Sequence, residues 1–135
     1  MGRSNLILVD THIAVWLASD YARLSRNARQ AIDEARKEAD GLAISDMSLL
    51  ELVMLSEKNR IALTVTLENF LSEMETRFVV MPITARACVR ALSFPATFPK
   101  DPADRIIAAT ALVEGLALIT ADREIRRAGV VRTIW

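Results

Sequence analysis

At 135 residues, with no Pro-, Gly- or Ser-rich stretch to divide it, the chain is expected to form one domain over residues 1–135. Apolar residues make up 52% of it, enough to fill a core without staples; the lone Cys88 excludes an internal disulfide, and the lone His12 excludes a multi-histidine zinc site and a two-histidine acid–base mechanism. Basic and acidic residues number 17 each and cancel, so no global field draws in a polyanion and any nucleic-acid site must be local.

The first apolar run, residues 6–9, is stopped by Asp10. It is continuous, as a strand buried on both faces should be, and too short for the apolar region of a signal peptide. A helical pattern follows through Ile13, Trp16 and Leu17, the last two read as core or interface. Ser25 is a good N-cap for a second helix to about Ala39, with Ala28, Ala31, Ile32 and Ala35 on one face. Gly41 breaks it. Residues 42–45 read as the second strand, after which Asp46 or Ser48 caps a helix to about Lys58.

Residues 61–65 are ambiguous and are taken as a return to another capped helix over residues 66–76. Residues 78–83 read as strand three, and Thr84 caps a helix to about Leu92 that carries Cys88 as a buried thiol. Two prolines keep residues 94–100 out of a helix; Asp101-Pro102 then reads as N-cap and first residue of a helix to Glu114, stopped by Gly115. Strand four covers 116–120, a short helix 121–128, and a last strand 130–134. The longest apolar stretch, residues 106–121, contains Glu114 and Gly115 and falls short of a membrane span, so a soluble cytoplasmic protein is expected.

Apolar strands separated by helices predict an α/β fold: a three-layer α/β/α sandwich with a mainly parallel sheet of four to five strands and right-handed crossovers. In such a domain the strand C-termini and the following helix N-termini collect at one edge, where ligands bind. Asp10 ends strand one, Glu51 lies one turn into the helix after strand two, and Asp122 follows strand four. Asp104 opens the helix leading into strand four. To bring it to the same edge, residues 94–100 must climb past the preceding helix; seven extended residues reach roughly 23 Å, against roughly 15 Å for a helix of about ten residues.

Four converging carboxylates repel one another, a cost that a divalent cation removes. Oxygen-only ligation suits Mg²⁺ or Mn²⁺ and disfavours zinc. Each acid also has a structural role open to it: Glu51 follows Ser48 at capping-box spacing, Asp104 sits in the first turn after an Asp101 cap, and Asp122 is placed to cap a short helix. A carboxylate closing a buried strand, as Asp10 does, is costly without a partner.

The ordered set Leu-Ile-Leu-Val-Asp10-Thr11, Ser48-Leu-Leu-Glu51, Asp101-Pro-Ala-Asp104-Arg105 and Leu-Ile-Thr120-Ala-Asp122 resembles a PIN domain over nearly the whole chain, and within that family the VapC-type toxins of toxin–antitoxin pairs. The resemblance implies Mg²⁺- or Mn²⁺-dependent endoribonuclease action on RNA by a homodimer that a small antitoxin protein holds inactive. It implies Asp10, Glu51, Asp104 and Asp122 as the catalytic and metal-ligating acids. Thr120 matches the small hydroxyl residue that supports the metal shell, and Thr11 follows the first acid as it often does in the family. Asp101 is an extra carboxylate, read first as a helix cap. His12 is left out of the catalytic set.

Lys100, Arg105 and Arg123, with Arg126 and Arg127 beyond, lie near these acids in sequence and are candidates to grip RNA phosphates, or to balance acids on a solvated surface. Three alternatives fit less well. A receiver-like Mg²⁺-binding signalling domain needs an Asp ending strand three, where Met81-Pro82-Ile83 stands, and a Lys after strand five, where none follows Lys100. A haloacid-dehalogenase-type phosphatase needs a second Asp where His12 stands. A catalytically inactive PIN-like binding module is opposed by the full acid quartet.

Overall fold

The computed structural model describes residues 6–37 and 41–135. Five strands, β1 (Ile7–Val9), β2 (Leu42–Ser45), β3 (Val79–Met81), β4 (Leu118–Ile119) and β5 (Thr133–Ile134), form one sheet in the order β3-β2-β1-β4-β5. Every pairing is parallel. The helices are α1 (Thr11–Ser19), α2 (Arg26–Lys37), α3 (Asp46–Glu57), α4 (Leu67–Arg77), α5 (Ala85–Leu92), α6 (Pro102–Glu114) and α7 (Arg123–Ala128), with a single 3-10 turn at Tyr21–Arg23. This is the expected α/β sandwich, with five strands at the upper end of the expected number and none antiparallel.

Strand alternation sends successive side chains to opposite faces, and the register keeps like with like. Leu8 is level with Ala43 and with Leu118, and all three enter the core beneath α5, α6 and α7. Val9 is level with Ile119, and both enter the opposite core with Ile13, Ile32, Ile44, Leu52 and Met74. Two cores, one per face, therefore fix the register: a slip of one residue would exchange them.

The chain order makes the functional edge. From β1 the chain moves outward through β2 to β3, then crosses back to β4 and outward to β5. The reversal lies between β1 and β4, and in open parallel sheets that switch point leaves a crevice at the strand C-termini.

Several local expectations are corrected. β2 spans the predicted residues, whereas β1, β3, β4 and β5 are each shorter than predicted. Ser45 rather than Asp46 or Ser48 caps α3, its hydroxyl accepting from Met47 N at 3.0 Å; the strand's own last residue does the capping. The predicted end of α2 at Ala39 lies outside the described residues. Residues 61–65 form neither helix nor strand. Cys88 is exposed, not buried: α5 turns Ala87 and Ala91, one helical turn apart, into the core against α6, and the residue one position on from Ala87 is rotated about 100° off that face.

Candidate active site

The backbone makes this site by using its acids as helix starts. Asp10 directly follows β1 and is the N-cap of α1, its Oδ1 accepting from Thr11 N at 2.9 Å. Asp101 caps α6 and accepts from Ala103 N at 2.8 Å. Asp122 caps α7, accepting from Glu124 N and Ile125 N at 2.8 and 3.1 Å. Positive helix ends thus meet negative side chains at one edge of the sheet.

Hydroxyl groups tie the acids to one another. Thr120 Oγ1 donates to Asp10 Oδ2 at 2.7 Å and accepts from Asp122 N at 3.1 Å, so one side chain sets both the β1 and the β4 acid. Thr11 is fully buried and donates to Glu51 Oε1; its oxygen lies 2.9 Å from Ser48 Oγ. Having spent its proton on Glu51, Thr11 accepts from Ser48. Ser48 is the functional contributor that sequence reasoning missed. It sits one helical turn before Glu51, which made it look like a cap, and only the contact with Thr11 on another element reveals its part.

Asp104 is different. Among the described residues no donor reaches its carboxylate, and burial together with the negative charges of Asp10, Asp101, Asp122 and Glu51 pushes its pKa to about 7. Burial also raises Asp10, against the lowering effect of Thr120 and Thr11, and raises Glu51, against that of Thr11. Glu51 further feels Asp10 and Asp101, and the charge of His12 reaches both Glu51 and Asp10. Asp104 therefore lies in the field of the four other acids at this edge. Among the described residues the one ion pair is the exposed Glu73–Arg77, so none of the described Lys or Arg side chains is paired with these acids.

As the side chains stand, no three Asp, Glu, His or Cys groups among the described residues are gathered tightly enough to ligate an ion. The reason is visible in the hydrogen bonds: Asp10, Glu51, Asp101 and Asp122 each lean on a protein donor. An ionised carboxylate keeps about four lone-pair sites, so these contacts leave acceptor capacity. An oxygen-only donor set with uncompensated charge, and Asp104 without a donor, fits a hard divalent cation.

The candidate phosphate contacts divide. Lys100 and Arg123 are exposed at the N-terminal ends of α6 and α7. Arg105 is not available: its guanidinium donates to the carbonyls of Pro99 (2.8 Å), Ala91 (3.0 Å) and Phe98 (3.3 Å) and lies over the Phe98 ring. It is a clamp for the segment that carries the chain from α5 back to α6, because three carbonyls there have no helix or sheet partner to use instead.

The PIN domain profile matches residues 7–131. The chain is 37% identical over 131 residues to Ribonuclease VapC22 of Mycobacterium tuberculosis (strain ATCC 25618 / H37Rv), covering 96% of this chain and 98% of that protein. Its fold is similar to that in the DNA-bound VapBC structure from Salmonella typhimurium, with a TM-score of 0.70 and 21% identity over 97% of each chain. It is also similar to a chain of a toxin–antitoxin complex from Klebsiella pneumoniae, with a TM-score of 0.65 and 25% identity over 96% of each chain.

Proposed function

Because this chain belongs to the PIN-domain family, we propose that it is a metal-dependent endoribonuclease that hydrolyses RNA phosphodiester bonds and acts as the toxin of a toxin–antitoxin pair. The observation that carries this reading is the meeting of acids from four separate parts of the chain at the β1–β4 switch point, with their charge uncompensated and Asp104 raised to about 7. The similarity to a named ribonuclease supports the substrate, and the likeness to toxin–antitoxin complexes supports a small antitoxin protein as partner. Among the described residues no helix is long and apolar enough to cross a membrane. A cytoplasmic homodimer is part of the same proposal, on the family resemblance.

Asp10, Glu51, Asp104 and Asp122 are the residues that would hold Mg²⁺ or Mn²⁺, with Asp101 as the helix cap beside them. When bound, a divalent cation supplies Lewis acidity to the phosphodiester and to the attacking water. The chain's own part is positioning and charge. Thr120 fixes the Asp10 carboxylate and the Asp122 backbone together, and Thr11, held by Ser48, fixes Glu51. Burial and the neighbouring acids raise the Asp104 pKa, which favours the protonated carboxyl and partly masks the charge at the edge until a counter-charge arrives. Attack of water on phosphorus with breakage of the P–O3′ bond would leave 5′-phosphate and 3′-hydroxyl ends, and the ribose 2′-oxygen would take no part.

The test is cleavage of RNA with and without Mg²⁺ or Mn²⁺ by the chain and by Asp10→Asn. We expect metal-dependent cleavage lost by at least a hundredfold in Asp10→Asn with the fold unchanged by circular dichroism. Products ending in a 2′,3′-cyclic phosphate, or cleavage unaltered in the variant, would overturn the proposal.

A further inference from the structure

The residues that follow α1 carry a basic strip that the acid site does not use. Residues 21–30 contain Arg23, Arg26 and Arg29 and no acid; Asp20 and Asp33 stand outside the segment. Two of these arginines are stacked on aromatic rings. The Arg23 guanidinium lies 4.4 Å from the centre of the Trp16 ring, and that of Arg29 lies 5.2 Å from the Tyr21 ring and donates to Ala22 O at 3.1 Å. Arg23 and Arg26 are exposed, and among the described residues neither is in an ion pair.

The strip begins at the acid edge. His12 is exposed, two residues after Asp10, and its ring is 6.2 Å from that of Trp16. The Trp135 ring is also beside Trp16, 6.0 Å away. Ile134 O accepts from Thr120 N at 3.2 Å, so Trp135 stands level with the residues that lead into Asp122. Asn27 Nδ2 donates to Trp135 O at 2.9 Å, fastening the start of α2 to the same place.

We propose that single-stranded RNA approaches the acid edge along this strip, laid over Arg23 and Arg26 beside His12, with the half-buried Trp16 serving as the backing that holds the Arg23 guanidinium flat. The proposal rests on the nuclease reading above and names the surface that receives the substrate. A guanidinium pinned to an indole has already lost much of its rotamer freedom, so less is lost on binding. Its outer plane is open to a base, and its N–H fork to a phosphate. Such a contact is needed here, since a zero net charge gives no long-range pull and the acids themselves repel a polyanion. A helical protein partner would call for an apolar stripe, whereas Tyr21 is the one exposed large apolar side chain here, set among exposed arginines and a histidine.

The experiment measures binding of a fluorescein-labelled, unstructured oligoribonucleotide by anisotropy, in chelator and across a salt series, with manganese-dependent cleavage of the same RNA measured in parallel. The double variant Arg23→Gln/Arg26→Gln should bind about tenfold more weakly, with the slope of log affinity against log salt reduced by about 1.4, roughly 0.7 per lost phosphate contact. Arg23→Lys, which keeps the charge but not the stacked plane, should fall between. Arg86→Gln/Arg90→Gln, exposed on α5 at the opposite face, should bind as the unaltered chain does. Unchanged binding and cleavage by the Arg23/Arg26 variant sinks the strip and leaves the nuclease standing. An equal loss in the α5 variant, or a loss confined to a partner protein's affinity, also overturns it. Failure of the unaltered chain to cleave with manganese refutes the nuclease reading, and the strip with it.

Discussion

At the scale of single residues, two side chains make separable predictions. Asp104 is raised from 3.8 to about 7 by burial first and by its acidic neighbours second. A carboxyl whose folded pKa lies above its unfolded one binds more protons when folded. Its stabilising contribution is therefore complete below about pH 4 and lost as pH rises through about 7. The metal-free chain should lose about 1–2 kcal/mol from this group between pH 5 and 8, a figure discounted because the side chain is partly open to solvent. Asp104→Asn should accordingly be more stable than the unaltered chain at pH 8 without metal, while losing cleavage. Urea melts at pH 5 and pH 8 measure this, and a variant less stable at both values would refute it. Thr11→Val removes the hydroxyl that Glu51 and Ser48 share. With the buried Ser48 and the half-buried Glu51 both orphaned, we expect a loss of about 1–3 kcal/mol and a drop in cleavage, whereas Ser48→Ala should show a smaller loss of both. Equal activity in Thr11→Val would mean that Glu51 needs no positioning.

Among elements, the segment between α5 and α6 decides whether the fourth acid arrives. Arg105 ties residues 93–101, which lack regular secondary structure, to the last turn of α5 with three hydrogen bonds and a ring contact. Arg105→Lys cannot span three carbonyls, and should cost about 1–3 kcal/mol and weaken metal affinity through Asp104. Isothermal titration with Mn²⁺ reads the second effect; a stability loss with unaltered metal binding would show that α6 is placed by its core face alone. That face is substantial, with five consecutive buried residues from Ile107 to Ala111. Most elements were legible beforehand: Asp101-Pro102 and Gly115 mark both ends of α6 by chemistry local to the chain, and the left-handed φ of +71° at Gly115 is one that only glycine takes freely. What was not legible depended on distant partners. Ser48 looked like a cap because its true neighbour, Thr11, is 37 residues away. Arg105 looked like a phosphate ligand because its carbonyl acceptors belong to a loop that sequence can only call irregular. Cys88 looked buried because a mostly apolar segment does not say which of its faces turns inward.

For the whole molecule, the sheet order converts chain order into function. Strand order β3-β2-β1-β4-β5 puts the ends of β1 and β4 side by side, which is why Asp10 and Asp122, 112 positions apart, share Thr120. A divalent cation that binds only this folded arrangement stabilises it by mass action. Thermal unfolding at pH 8 should therefore shift upward with millimolar Mn²⁺, and Asp10→Asn should abolish the shift. A shift unchanged in the variant would place the ion elsewhere. The outward-facing thiol on α5 has a practical consequence of its own. Since no other sulfhydryl exists in the chain, a maleimide dye attaches at one known point without mutagenesis, one equivalent per native molecule, on the helix layer that lies across the sheet from the arginine strip. Fluorescence from that tag reports tumbling and assembly, while leaving both the acids and the incoming strand untouched.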